Sequence, residues 1–258
     1  NGFMSGKPVK LYVRGADRWR EDDAWPPKGT RYTPFYLRRR HSGSVRSLND
    51  GSLTAEPPAR NEGATAYDYP DPQWKFGVVG VDRFGPDPVG RVLTFTTDPM
   101  QRDMEVTGPV VLELYAASDQ PDTDFFVRIA DQMPQDDAAR RDGRQPASVV
   151  VTKGWLRASH RAKDEKRSKP HRPVYTHADP QPLQPGRVYK FEIEVLPCSY
   201  LFRKGHRLRL EIVNGDSLMT DGLFSHQYMP YKVGRDEIHH SAACPSRLIL
   251  PLAPGGGR

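Results

Sequence analysis

Between Val110 and Ala116 every second residue is apolar: Val110, Leu112, Leu114 and Ala116 alternate with Val111, Glu113 and Tyr115. Period-two alternation places the first set on one face of a strand. Thr123–Ile129 repeats the device, with Phe125, Val127 and Ile129 on one face and Asp124, Phe126 and Arg128 on the other. The polar turn between the two runs contains Asp119, Pro121 and Asp122, so they are expected to be neighbouring strands of a sandwich. Further strands are expected at Lys7–Arg14, Arg31–Leu37, Ala64–Tyr69, Arg91–Thr97, Ser148–Ser159, Arg187–Val195, His206–Val213 and Ser246–Leu252. Leu196–Phe202 reads as one irregular helical turn, and the segment around Asn49, Asp50 and Gly51 as a short edge hairpin. With 25 prolines and 22 glycines, the chain leaves no window for a long amphipathic helix. The fold expected is all-β, an antiparallel jelly-roll β-sandwich.

The formal charge is +6, but the basic residues are scattered or confined to Arg38–Arg40 and Arg157–Arg172. The second run contains Asp164 and Glu165 and no aromatic residue for base stacking, which argues against nucleic acid and for a solvated, mobile loop. No apolar run approaches the ~20 residues of a membrane span, so no membrane partner is expected. Cys198 and Cys244 lie far apart at no metal spacing, which fits a reducing, cytoplasmic setting, with one disulfide between them as the alternative, and points to no metal or other cofactor. The chain starts at Asn1 without an initiator Met and reads as a piece of a longer polypeptide.

No G-x-S-x-G nucleophile elbow is present. Ser217, in Gly215-Asp216-Ser217, is the nearest candidate, and an independent esterase using it is the least favoured reading. A pool of His226, His239, His240, Asp216, Asp221, Asp236 and Glu237 could supply a triad or a metal site, although ordinary loop histidines are the default. Asp122 and Asp124 form either a carboxylate pair or, more simply, turn caps. Trp19 and Trp25 read first as plugs closing one end of the sandwich. With Trp155 they would instead serve a carbohydrate-binding module, the alternative function. The long loop PDPQWKFGVVGVDRFGPDPVG, with Trp74, Phe76 and Phe84 taken as exposed, is a candidate functional surface.

Four motifs in order, KLYVRGADRWREDDAWPP, FTTDPMQRDMEVTGPVVLELYAASDQPDTDFFVRIAD, LQPGRVYKFEIEVLPCSYLFRKGHRLRLEIV and CPSRLILPL, closely resemble the C-terminal part of the cocaine-esterase/X-Pro dipeptidyl-peptidase (CocE/NonD) family of serine hydrolases, from about Pro8 to Leu252. The resemblance implies that residues 1–30 leave an α/β-hydrolase domain of the same polypeptide and that residues 31–258 form a galactose-binding-like jelly roll. That family's Ser, Asp and His match no position here, so no catalytic residue is carried over. The resemblance also implies packing on the hydrolase domain near the active-site mouth; the loop with Trp74, Phe76 and Phe84 is the candidate for that surface, either as a substrate-pocket rim or as simple interdomain packing. A homo-oligomer stays open.

Overall fold

The computed structural model describes residues 6–75, 77–216 and 232–254. The fold is all-β, as the alternation requires. Its strands are β1 (Val9–Val13), β2 (Arg18–Asp22), β3 (Arg31–His41), β4 (Gly51–Thr54), β5 (Ala64–Tyr69), β6 (Gly80–Asp82), β7 (Gly85–Asp87), β8 (Leu93–Thr96), β9 (Met104–Ser118), β10 (Asp124–Gln132), β11 (Ser148–Arg157), β12 (Tyr189–Phe202), β13 (Arg207–Val213), β14 (Gly234–His239) and β15 (Arg247–Leu252). A single α-helical turn and a half, α1 (Asp137–Asp142), interrupts them among the described residues. Asp136 caps its start by accepting from the Ala139 amide, and Gly143 ends it in the left-handed conformation.

Pairing runs in the order β12–β11–β10–β13–β8–β4–β3–β15–β9, and β9 pairs back to β12, so these strands close into a circuit with β14 and β5 branching from β9. Every pairing in it is antiparallel except β4 with β8. Closure between β11 and β12 is narrow, through Gly154 opposite Val195. A Cβ at Gly154 would collide with the Glu194 carbonyl, so only glycine allows this approach.

The apolar alternation fills the interior. Val110, Leu112, Leu114 and Ala116 of β9, Phe125, Val127 and Ile129 of β10, Phe191, Ile193 and Val195 of β12, and Leu208, Leu210 and Ile212 of β13 are all buried in one cluster. Removing such faces from water is the main source of stability.

Several expectations are corrected. β9 and β10 are not neighbours: β11 and β12 lie between them, because each pairs with strands far along the chain. Leu196–Phe202 is not helical but continues β12 across a bulge between Val195 and Cys198. The segment ending at Gly51 is the loop between β3 and β4, and β4 is an interior strand, paired on both sides. Residues 158–188 are not a free solvated loop. Lys163 Nζ lies 2.8 Å from Glu192 on β12, and the His171 ring stacks on Tyr32 at 3.9 Å, so the basic run is strapped across the outer face of the sheet.

β1 and β2 form a separate ribbon beside the circuit. The Arg14 amide donates to Ser199 O and the Leu201 amide to Arg14 O, while Arg20 Nη1 meets the buried Glu105 at 2.7 Å. Val13 is fully buried beneath the ribbon.

Candidate functional site

The long proline- and glycine-rich loop between β5 and β8 is built on a buried anchor. Asp71 accepts from the Gln73 amide at 2.8 Å and, through Oδ2, from Arg91 Nε and Nη2 at 3.0 and 2.5 Å. That clamp folds the chain back so that Trp74 Nε1 donates to the Arg91 carbonyl at 2.9 Å. Trp74 is therefore only 7% exposed and belongs to the core cluster with Val78 and Val92. The expected exposure of Trp74 is thus corrected: a bulky apolar ring with a satisfied N–H is more stable inside. Phe76 lies outside the described residues.

From this anchor projects a hairpin of β6 and β7 around the two-residue turn Arg83–Phe84. Asp82 Oδ1 accepts from the Phe84 amide at 2.7 Å, and Gly85 supplies the positive φ that the turn requires. Phe84, at the tip, is 49% exposed, with the Arg83 guanidinium 4.8 Å from its ring centroid. Val81 is also exposed. The hairpin is held from outside: Arg46 Nη2 contacts Asp82 at 2.6 Å, and Gln145 Nε2 donates to Asp87 at 3.0 Å. Arg83 donates to the Asp142 carbonyl, and Arg46 to that of Gly143, at the end of α1. A cavity of about 410 Å³ opens beside it, lined by Arg46, Gln73, Val81, Asp82, Arg83 and Arg91. The arrangement presents an apolar tip on a braced stalk, suited to contact with another surface or a bound group.

Among the described residues the other candidates do not assemble into a catalytic centre. Ser217, Asp221 and His226 lie outside the described residues. Asp236 is buried, accepting from Tyr67 Oη at 2.9 Å and Thr123 Oγ1 at 2.8 Å. Burial pushes its carboxyl up to about 6, against the hydrogen bonds and Lys232, which pull it down. His240 is buried elsewhere, hydrogen-bonded to Thr65 Oγ1 at 2.9 Å, and burial lowers it to about 4. Asp122 accepts from the Ser159 amide and hydroxyl at 2.8 and 2.9 Å, the turn-capping role. Asp124 pairs with Arg157 at 2.9 Å and Lys232 at 2.5 Å. Burial works to raise the Asp124 carboxyl, and those two cations overcome it and hold it below its ordinary range. Among the described residues no three His, Cys, Asp or Glu side chains are grouped to hold a metal, and no helix is long and apolar enough to cross a membrane.

Trp19 and Trp25 are not plugs. Both are exposed, Trp19 at 63%, packed edge-on against Tyr12 with Lys10 over its ring. Trp155 is also exposed, and lines a cavity to which neither of the other two contributes.

The reading of the residues missed an outer-face network in which Arg128 Nε meets Glu211 at 2.8 Å and Arg209 Nε meets the same carboxylate at 2.9 Å, all three buried. Burial works to raise Glu211, and the two guanidiniums overcome it and keep the carboxyl below its ordinary value. Alternating charge in β13 reads as a solvated face, whereas Arg209 and Glu211 are buried and bonded to groups on β10 and β11.

The chain matches known proteins over nearly its whole length. A cocaine esterase of Rhodococcus sp. is 26% identical over 268 residues, covering 96% of this chain and 42% of its own. A Mycobacterium bovis protein provisionally named a serine esterase is 30% identical over 271 residues, covering 97% and 38%. The chain therefore spans about two fifths of the length of these relatives. A CocE/NonD family hydrolase from Staphylococcus aureus shares the fold with a TM-score of 0.69 at 22% identity, over 98% of this chain and 43% of that one. An α-amino acid ester hydrolase does so with a TM-score of 0.66 at 21% identity, over 95% and 41%. A family profile matches residues 1–249. By that match the chain belongs to the family described as the X-Pro dipeptidyl-peptidase C-terminal non-catalytic domain.

Proposed function

We propose that this domain serves a serine hydrolase of the CocE/NonD type, in which an α/β-hydrolase domain of the same polypeptide cleaves ester, amide or peptide bonds through an acyl-enzyme. Membership of a non-catalytic family, in a chain spanning about two fifths of relatives named as esterases, supports this. Residues 1–30 would be the exit from that hydrolase domain, and the closed circuit would be a two-sheet jelly roll of the galactose-binding-like kind drawn together at its edges. A cytoplasmic setting fits the two free cysteines, Cys198 and Cys244.

The domain's contribution is a rim at the active-site mouth. Phe84 is the contacting group, Phe76 belongs to the same loop, and Trp74 acts from below as the anchor that fixes where the tip stands. The observation that carries this reading is the exposed Phe84 on a hairpin braced by Arg46, Arg83 and Gln145. An apolar group preformed at a pocket edge selects substrates by the surface it dries.

The test is made on the complete polypeptide, with a panel of esters differing in acyl group. Phe84→Ala is expected to change the ratio of kcat/KM between bulky and small acyl groups by about 5- to 30-fold, the equivalent of ~1–2 kcal/mol of apolar contact. Unchanged ratios would reduce the hairpin to a packing element.

A further inference from the structure

We infer that the cavity where the ribbon meets the strand circuit is a binding site for a neutral apolar alcohol, whose hydroxyl group donates to Glu105. The cavity, of about 570 Å³, opens between the start of β3, the loop from β8 to β9 and the end of β15. That volume falls inside the ~300–1,000 Å³ usual for small-molecule sites. Phe35, Met100, Met104 and Leu252 line it, and each is only partly buried against the core. Methionine thioethers are flexible and polarisable, so two of them in one lining conform to an aliphatic chain or an aromatic ring.

The walls are fastened to the fold. The Met100 amide donates to His206 O and the Gly205 amide to Met100 O, both at 2.8 Å, and the Lys204 amide donates to Asp103 Oδ1 at 2.8 Å. The Ala253 amide donates to Glu105 O at 3.0 Å, which ties the end of β15 to β9.

Glu105 supplies the polar handle. It lines the cavity yet is only 2% exposed. Arg20 Nη1 at 2.7 Å and Thr107 Oγ1 at 3.0 Å both donate to its Oε1, and among the described residues no hydrogen bond falls on Oε2. A carboxylate oxygen with so little access to water gains from a donor. A bound hydrocarbon would leave that oxygen unpaired, and a hydroxyl group pairs it.

Charge sorts the possible donors. Arg20 also pairs with Asp22, and Arg31, Arg102 and Asp103 complete the charged groups that line the cavity or pair with its lining, so three cations face three carboxylates. The balance favours no ion. A carboxylate ligand would lie against Glu105, and an ammonium would give up its hydration for a carboxylate that Arg20 already holds. An apolar alcohol is also what hydrolysis of an ester releases, a connection that rests on the proposed hydrolase function, whereas the binding itself does not.

The test titrates the 258-residue chain, carrying carbon-13 in its methionine methyl groups, with 1-hexanol and with benzyl alcohol. At least one should saturate with a Kd on the order of 1 mM, as expected of a ligand of about eight non-hydrogen atoms. It should shift the methyl signals of Met100 and Met104 and leave that of Met133, which does not line the cavity, unmoved. Met100→Ala should weaken binding about fivefold or more. Benzyl methyl ether, which keeps the ring and lacks the O–H, should bind several-fold more weakly than benzyl alcohol, and so should benzoate and benzylammonium. No saturation by either alcohol, shifts at Met133 without shifts at Met100 and Met104, full affinity in Met100→Ala, or equal or tighter binding of the ether or of either ion would overturn the site. Should Met100→Ala fail to fold, the methyl shifts and the ranking of the aromatic ligands decide the matter on their own.

Discussion

Two long connections lie against the outside of the strand circuit, and they are attached by different physics. The β5–β8 loop carries Trp74 into the core and is tied by Asp71 on Arg91 and by the Leu48 amide, which donates to Val92 O at 3.1 Å. The strap of residues 158–188 is rooted in the core by Ala158 and Leu183, with backbone ties from the Ala158 amide to Thr123 O, Leu183 to Pro121 O and Gly186 to Ser118 O, while its middle is held by half-exposed ion pairs, ring stacking and the partly buried Tyr175. A buried apolar anchor makes a loop share the cooperativity of the core, whereas screened surface pairs do not. The first loop is therefore a rigid mount for Phe84, and the middle of the strap can loosen while the strand circuit stays intact.

The largest effect expected from this contrast is at Trp74. Trp74→Ala should cost about 3–5 kcal/mol, by loss of the buried ring and the cavity it leaves, and lower the melting temperature by on the order of 10 °C. A loss below about 1 kcal/mol would mean the loop is not anchored in the core.

Next in size is a pH effect at the roots of the strap, where Asp236 accepts from Thr123. Burial raises Asp236 from its ordinary 3.8 to about 6. The stabilisation gained by keeping it protonated is therefore complete below the unfolded value and lost as pH rises through the folded one. Asp236→Asn keeps an acceptor for Tyr67 and Thr123 without this titration. Denaturation of the two chains from pH 4 to 8 should show the variant gaining relative to the parent by on the order of 2–3 kcal/mol. A pH-independent difference would contradict a buried, titrating carboxyl.

Lys163→Ala should cost less than about 1 kcal/mol globally yet expose the strap to limited proteolysis, sharpening the distinction between the loops. Equal protection in the variant would show that the backbone ties suffice. The smallest effect is at Phe84, where Ala should change the stability of this chain by no more than about 0.5 kcal/mol, since the ring contributes little to the core.

The strands that face the core were the legible part of the fold. Leu208, Leu210 and Ile212, and Phe191, Ile193 and Val195, alternate with charges and are buried as their period demands. What periodicity cannot convey is which strand sits beside which. β9 and β10 look like partners because a short turn joins them, and non-local pairing with β12, β15, β11 and β13 overrides that proximity. β14 went unread because Gly234–His239 is nearly all polar, with Ile238 its single strongly apolar residue. The aromatic loop was legible as a feature and Phe84 is exposed as expected, but the inward turn of Trp74 was not legible. Trp74 and Phe84 have similar flanking residues, and only the Asp71–Arg91 clamp decides that one turns in while the other stays out.

Hydrolysis is proposed to belong to a neighbouring domain. The most direct measurement is exposure of the purified 258-residue chain to a fluorophosphonate probe and to an activated ester, beside the complete polypeptide. The complete polypeptide should label at a serine outside this segment and turn over the ester, and the isolated chain should do neither. Labelling of the isolated chain at Ser217, accompanied by turnover, would contradict it.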